Sequence, residues 1–266
     1  LKKTGPLIMT SANKSTSPII FRDEGIKNFF VDCATPLFAG VLYHEREILR
    51  RVDDSVAMVS AGHVQLIRRS RGYVPKPVRI PTRGIATAQS RSGCDCFSVN
   101  NTFGSLNKTS REVAVLGLGG DLKNAFCLAK GGYAYMSQHI GDLEDESVMR
   151  HLEEAIEDLK RLTGIRPEIV AYDSHPLYHS TAYAEQTGLK PVKVQHHHAH
   201  IASVIAENCL TEPVIGVSFD GTGYGDDGTI WGGEFLVCRG ASCKRAGHLK
   251  AFRQLGGDSS AKDARK

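Results

Sequence analysis

Apolar and polar positions change period along this chain, and each change marks an element. From 145 to 163, Val148, Leu152, Ala155, Ile156, Leu159 and Leu162 recur every three or four residues, with Glu153, Glu154, Glu157 and Lys160 opposite. That spacing predicts a helix with one buried stripe, stopped by Gly164 and Pro167. Short continuous apolar runs predict strands at 6–10, 64–68 and 113–120, the last ending in glycines. Residues 125–128 and 133–136 read as a hairpin around Gly131 and Gly132. Two further strands end in chemistry: 168–172 delivers Asp173 and His175, and 214–219 delivers Asp220 into a glycine-rich loop. Strands alternating with helices predict an α/β fold, in which ligands gather at the carboxyl ends of strands.

Between these patterned regions, residues 82–112 are rich in Ser, Thr, Asn and Gly and show no period, so a polar linker is expected between units 1–81 and 113–266. Charge changes at the same place. Residues 1–83 carry a net +7 and the remainder −3, out of a total of +4. The basic first third suits an anionic partner such as a nucleotide, a phosphate or RNA, or else a mixed solvated surface. With 41% hydrophobic and 23% charged residues the composition excludes wholesale disorder. No apolar run is long enough for a membrane span and no signal-peptide core is visible, which reads as a cytoplasmic chain with no membrane partner, or a piece of a longer one. The seven cysteines (Cys33, Cys94, Cys96, Cys127, Cys209, Cys238 and Cys243) include no C-x-x-C pair and read as reduced thiols, mostly in cores. Cys94-x-Cys96 is a candidate for a metal or a disulfide.

The densest candidate chemistry is VQHHHAHI at 194–201. If a helix begins near His196, then His196 and His200 stand one turn apart on one side and can share a transition metal. Asp220 is a candidate oxygen ligand, because a strand tip can lie beside a helix start in an α/β layer. A surface histidine tract is the bland alternative. The loop FDGTGYGDDGT after β-type residues 214–219 offers glycines that let backbone N–H groups approach a phosphate, or simply a glycine-rich hairpin; it is not a P-loop, since no Gly-Lys-Ser/Thr follows. Asp121 to Asn124, Ser137 to Asp142 and Asp173 to Tyr178 also put polar groups at strand ends. Arg68, Arg69 and Arg71, with Arg46, Arg50 and Arg51, can neutralise a triphosphate or remain solvated. A Ser–His–Asp hydrolase is disfavoured because G-x-S-x-G is absent.

Taken together, these motifs resemble a known family. PLIMTSANKSTSPI, YHEREILRRVDDSV and LIRRSRGYVPKPV are similar to the C-terminal part of a YrdC-like α/β domain. GGDLKNAFCLA, MSQHIGDLED, DSHPLYHSTAYA, VQHHHAHIASVIAEN and FDGTGYGDDGTIWGGEFL are similar to the first part of a TsaD-like domain of actin/ribonuclease-H-like fold. That order resembles HypF, the hydrogenase-maturation carbamoyltransferase family, of which this chain looks like an internal fragment. The resemblance implies an ATP-cleaving transfer of a carbamoyl group from carbamoyl phosphate, through carbamoyl-adenylate, to the C-terminal cysteine of a partner, HypE, in making nickel–iron hydrogenase. It implies ATP with Mg, and a divalent metal, iron or zinc, on His196, His200 and Asp220. By the same likeness Thr10, Ser11 and Asn13 match a T-S-x-N segment that contacts nucleotide and acyl group, and Arg68 and Arg71 match phosphate contacts; no catalytic residue is assigned. Ser15-Thr16-Ser17-Pro18 departs from the usual Ser-Gly-x-Pro. The acylphosphatase-like and zinc-finger regions and a further Asp ligand have no counterpart in residues 1–266, so little transferase activity is expected of this chain alone. The alternatives are a tRNA threonylcarbamoyl-transfer protein, a small-molecule O-carbamoyltransferase, and a non-catalytic fragment that binds double-stranded RNA through the basic first third.

Overall fold

The computed structural model describes residues 3, 5, 6, 12, 13, 17–32, 45–80, 112–239 and 241–251. Residues 7–10 of the expected strand at 6–10 and nearly all of the expected linker lie outside the described residues. In the first part are helix α1 (Asp23–Asp32) and a hairpin of β1 (Val56–Ser60) and β2 (His63–Arg68), followed by the short β3 (Val78–Arg79). The hairpin turns on Ala61 and Gly62, both at positive φ, the geometry that matches strand twist in a two-residue loop.

After 112 the order is β4 (Val115–Gly117), β5 (Cys127–Lys130), β6 (Tyr133–Met136), α2 (Glu146–Thr163), β7 (Ile169–Asp173), α3 (His179–Gln186), β8 (Lys190–Val194) and α4 (His196–Glu207). β9 (Val214–Ser218), β10 (Gly223–Tyr224), β11 (Ile230–Trp231), β12 (Glu234–Arg239) and β13 (Ser242–His248) complete it. Six strands form one mixed sheet in the order β3-β6-β5-β4-β7-β8. β4, β7 and β8 run parallel, so their carboxyl ends share one edge, while β5 and β6 form the expected hairpin. β13, β12 and β9 form a second, antiparallel sheet, and β10 pairs with β11.

The predicted stripe of α2 packs as expected. Val148, Leu152, Ile156 and Leu159 are buried against Leu116, Phe126, Leu128 and Val170 of the large sheet. Leu162, read as part of that stripe, is instead exposed, since it lies at the stripe's edge in the last turn. Asp145 caps the start by accepting the Ser147 N–H at 2.8 Å, and Gly164 ends the helix in the left-handed region at φ 70°. A smaller core joins Ile201 and Ile205 of α4 to Leu236, Cys238, Val214 and Cys243 of the second sheet. Cys127, Cys209, Cys238 and Cys243 are all free thiols, in line with the reduced reading.

Residues before the linker are tied to the large sheet and α2 by a polar seam. Ser17 Oγ donates to Asp145 at 3.2 Å, Arg50 pairs with Asp158 at 3.0 Å, and Gln138 Nε2 donates to the Arg51 carbonyl at 2.8 Å. β3 adds itself antiparallel to β6. His151 is buried in this seam, 3.2 Å from Gln138, and burial, helped by the Arg51 charge, holds its imidazole down at about 4. A depressed imidazole favours the fold only while it stays neutral. Its contribution is therefore complete above 6.5 and is lost as pH falls from 6.5 to about 4, by up to about 3 kcal/mol. Denaturant melts of wild type and His151→Gln across that range check this: the wild type loses stability the variant keeps, and parallel curves contradict it.

Candidate metal centre

β8 ends at Val194 and α4 starts two residues later, with Gln195 as its cap. Gln195 Oε1 accepts the His198 N–H at 2.9 Å, and its Nε2 donates to the Tyr224 carbonyl at 3.2 Å. Because the cap fixes the first helical residue as His196, His196 and His200 fall on one side, one turn apart, as the spacing predicts. Their Nε2 atoms lie 3.2 Å apart. Asp220, two residues past β9, brings Oδ2 to 3.2 Å from His196 Nε2 and 3.6 Å from His200 Nε2. All three ligand atoms lie within 4.8 Å of one another.

His196 and Asp220 are held from behind. His196 Nδ1–H donates to Asp173 Oδ2 at 2.6 Å, which leaves Nε2 facing the centre. That hydrogen bond, ahead of the charges of Asp173 and Asp220, raises the His196 imidazole above its ordinary value although burial opposes. Asp220 Oδ1 accepts from Ser218 Oγ at 2.9 Å and lies 3.0 Å from Nε2 of the fully buried His197, whose imidazole burial pushes down. Asp220 Oδ2 itself is buried and has no hydrogen bond. An orphaned carboxylate oxygen is costly unless a cation meets it. Two imidazole nitrogens and that oxygen form a donor set that suits zinc or ferrous iron, so the residues present fit a divalent transition ion.

Two of the three glycines of FDGTGYG, Gly223 and Gly225, are explained by clearance. A Cβ on Gly223 would sit 2.5 Å from His197 Cε1 and 2.7 Å from His196 Cδ2, and one on Gly225 would sit 2.0 Å from Trp231 Nε1. Within this loop Gly223–Tyr224 and Ile230–Trp231 pair as the hairpin of β10 and β11. Beside His196 and His200 opens a cleft of about 310 Å³, walled by Gly119, Gly120, Tyr172 and Asp173 at the carboxyl ends of β4 and β7. Its size suits a small ligand.

Elsewhere the sequence candidates have other partners. Asp121 accepts the backbone N–H groups of His179 and Ser180 and so starts α3. His175 stacks on Tyr178 at 4.1 Å. Asn13 Nδ2 donates to the Ser17 carbonyl at 3.1 Å, while Thr10 and Ser11 lie outside the described residues. Arg68 is exposed, and Arg71 faces Asp54 at 3.4 Å and the Val52 carbonyl.

The role of Asp173 was only half visible in the sequence, as a polar strand end. Asp173→Ala is expected to weaken metal binding by about 10- to 100-fold by freeing the His196 ring. Competition against a metallochromic chelator measures this, and unchanged affinity contradicts it.

Comparison with known proteins identifies the setting of this centre. A family profile described as the HypF Kae1-like domain matches residues 110–207, and the second subdomain of the carbamoyltransferase Kae1-like domain matches 216–266. A third, described as telomere recombination (Sua5/YciO/YrdC), matches 1–70. Carbamoyltransferase HypF2 of Cupriavidus necator is 42% identical over 265 residues, covering 97% of this chain and 29% of that protein. Carbamoyltransferase HypF of Synechocystis is 37% identical, covering 98% and 30%. A crystal structure of full-length HypF in the phosphate- and nucleotide-bound form superposes with a TM-score of 0.74 at 41% identity, over 91% of this chain and 33% of that one. The HypF of T. kodakarensis gives the same TM-score at 34% identity, over 95% and 29%.

The chain is built of HypF-type domains. It spans about three-tenths of the length of the curated HypF relatives it matches. In HypF terms, His196 and His200 come from the first Kae1-like subdomain and Asp220 from the second, so the candidate centre lies where the two subdomains meet. No helix among the described residues is long and apolar enough to cross a membrane.

Proposed function

We propose that this chain supplies the carbamoyl-transfer centre of a cytoplasmic HypF-type enzyme. Water takes the phosphoryl group of carbamoyl phosphate, releasing inorganic phosphate and carbamate; the carbamate oxygen attacks the α-phosphorus of Mg-bound ATP to give carbamoyl-adenylate and pyrophosphate, and the C-terminal cysteine thiolate of HypE then adds to the carbamoyl carbon as AMP departs. The observation that carries the reading is the convergence of His196, His200 and the orphaned Asp220 oxygen, with both histidines lining the 310 Å³ cleft. A zinc or iron ion held by these three residues supplies positive charge against phosphate or acyl oxygens. Asp173 keeps the His196 tautomer that points Nε2 inward. Gly119 and Gly120 line the cleft beside these histidines, and a Cβ on Gly119 would collide with the Ala125 carbonyl at 2.5 Å. Residues 1–81 form the YrdC-like part, where Thr10, Ser11, Asn13, Arg68 and Arg71 contact nucleotide and carbamoyl group, and 113–266 form the transfer part. The match of the telomere-recombination profile to 1–70 supports that division.

A chimera in which this chain replaces the matching stretch of Cupriavidus necator HypF2 tests the proposal. Label from carbamoyl phosphate is expected on the HypE thiol, and Asp220→Ala is expected to abolish it while adenylate formation, read as pyrophosphate exchange, continues. Label on tRNA adenosine, or full transfer by the Asp220 variant, overturns it.

A further inference from the structure

The centre described above leaves one histidine of the HHHAH run without a role. His198 lies about 200° around α4 from His196, on the side where Ile201 and Ile205 pack against the second sheet. Facing that side are two cysteines in directly paired positions of β12 and β13, Cys238 and Cys243. Their sulfurs are 2.9 Å apart, and Cys238 is fully buried. One ring nitrogen of His198 and the two sulfurs all lie within 4.8 Å of one another. Donors bound to one ion at 2.0–2.3 Å can stand up to about 4.6 Å apart, so small side-chain rotations bring all three onto a common cation.

We propose that His198, Cys238 and Cys243 form a second metal site, separate from the first, for a soft cation: zinc or cuprous copper. The donor set selects the ion. Two thiolates and an imidazole favour soft and borderline metals, whereas Mg and Ca need oxygen. Three protein donors complete a trigonal cuprous site, or a zinc site with one water. On binding, each thiol gives its proton to solvent and its sulfur lone pair to the metal, with no change of oxidation state. The site shares no ligand with His196, His200 and Asp220, and it stands whether or not the transferase reading does. Its position gives it a consequence: an ion there ties the first turn of α4 to the β12–β13 hairpin, and that same turn carries His196.

Cobalt separates the two centres, because only the second contains sulfur. The reduced 266-residue chain is titrated anaerobically with cobaltous ion and the near-ultraviolet thiolate-to-cobalt charge-transfer absorption is followed. One equivalent of the band is expected in wild type and in Asp220→Ala, and none in Cys238→Ser/Cys243→Ser. Since Cys238 is a core residue, His198→Gln and Cys243→Ser are measured as well, with circular dichroism to show that they fold; each is expected to lose the band. Absence of the band in wild type, or its persistence in the double cysteine variant, overturns the proposal. So does a Cys238–Cys243 disulfide in protein purified with zinc but without reductant.

Discussion

Arg245→Ala is expected to lower the stability of the chain by about 3 kcal/mol, the lower end of what is lost when one partner of a buried ion pair is removed. Glu234 is 1% exposed in the central strand of the second sheet. Arg245, on β13 across from Leu236, reaches diagonally to meet it twice, Nε at 2.6 Å and Nη2 at 2.8 Å, and lays its guanidinium over Trp231 at 4.0 Å. Alanine leaves the Glu234 charge buried with one remaining backbone donor, Gly232 N–H at 3.2 Å. Urea unfolding of Arg245→Ala beside Glu234→Gln/Arg245→Met measures the cost. The single variant is expected to fall well below wild type and the double variant to recover most of the loss. A single variant within about 1 kcal/mol of wild type contradicts this account.

Gly223→Ala is expected to act on the metal centre directly. The added carbon meets the two histidine rings at 2.5 and 2.7 Å, and neither has a free direction of retreat: His197 is wholly buried and His196 is held by Asp173. Overpacking of this kind costs about 1–3 kcal/mol of stability. Because both rings move, metal affinity is expected to fall further than in Asp173→Ala. Gly221→Ala is the control, since its Cβ would meet nothing within 4 Å. Equal metal affinity for the two alanine variants contradicts the clearance argument.

What could be read from the sequence was what a period or a spacing encodes. The α2 stripe, the β5–β6 hairpin and the i, i+4 pair His196 and His200 depend on local repeat alone, and Asp220 follows from one strand end. Four things had no such signal. α3 carries little apolar periodicity, and its start is set by Asp121, some sixty residues earlier. Asp173 orients His196 across 23 residues, and the pairing of Glu234 with Arg245 needs the β12–β13 register. The glycines after Asp220 looked like a phosphate loop as much as a hairpin, because clearance against Trp231 and two histidines is visible only once those rings are placed.

Metal content tests the central claim most directly. Wild type, His196→Ala, Asp220→Ala and Arg71→Ala are equilibrated with zinc and with ferrous iron, desalted, and analysed for metal per chain. The expected result is one equivalent fewer in each of the first two variants than in wild type and no change in Arg71→Ala. Equal metal in all four proteins contradicts the placement of a shared ion on His196, His200 and Asp220.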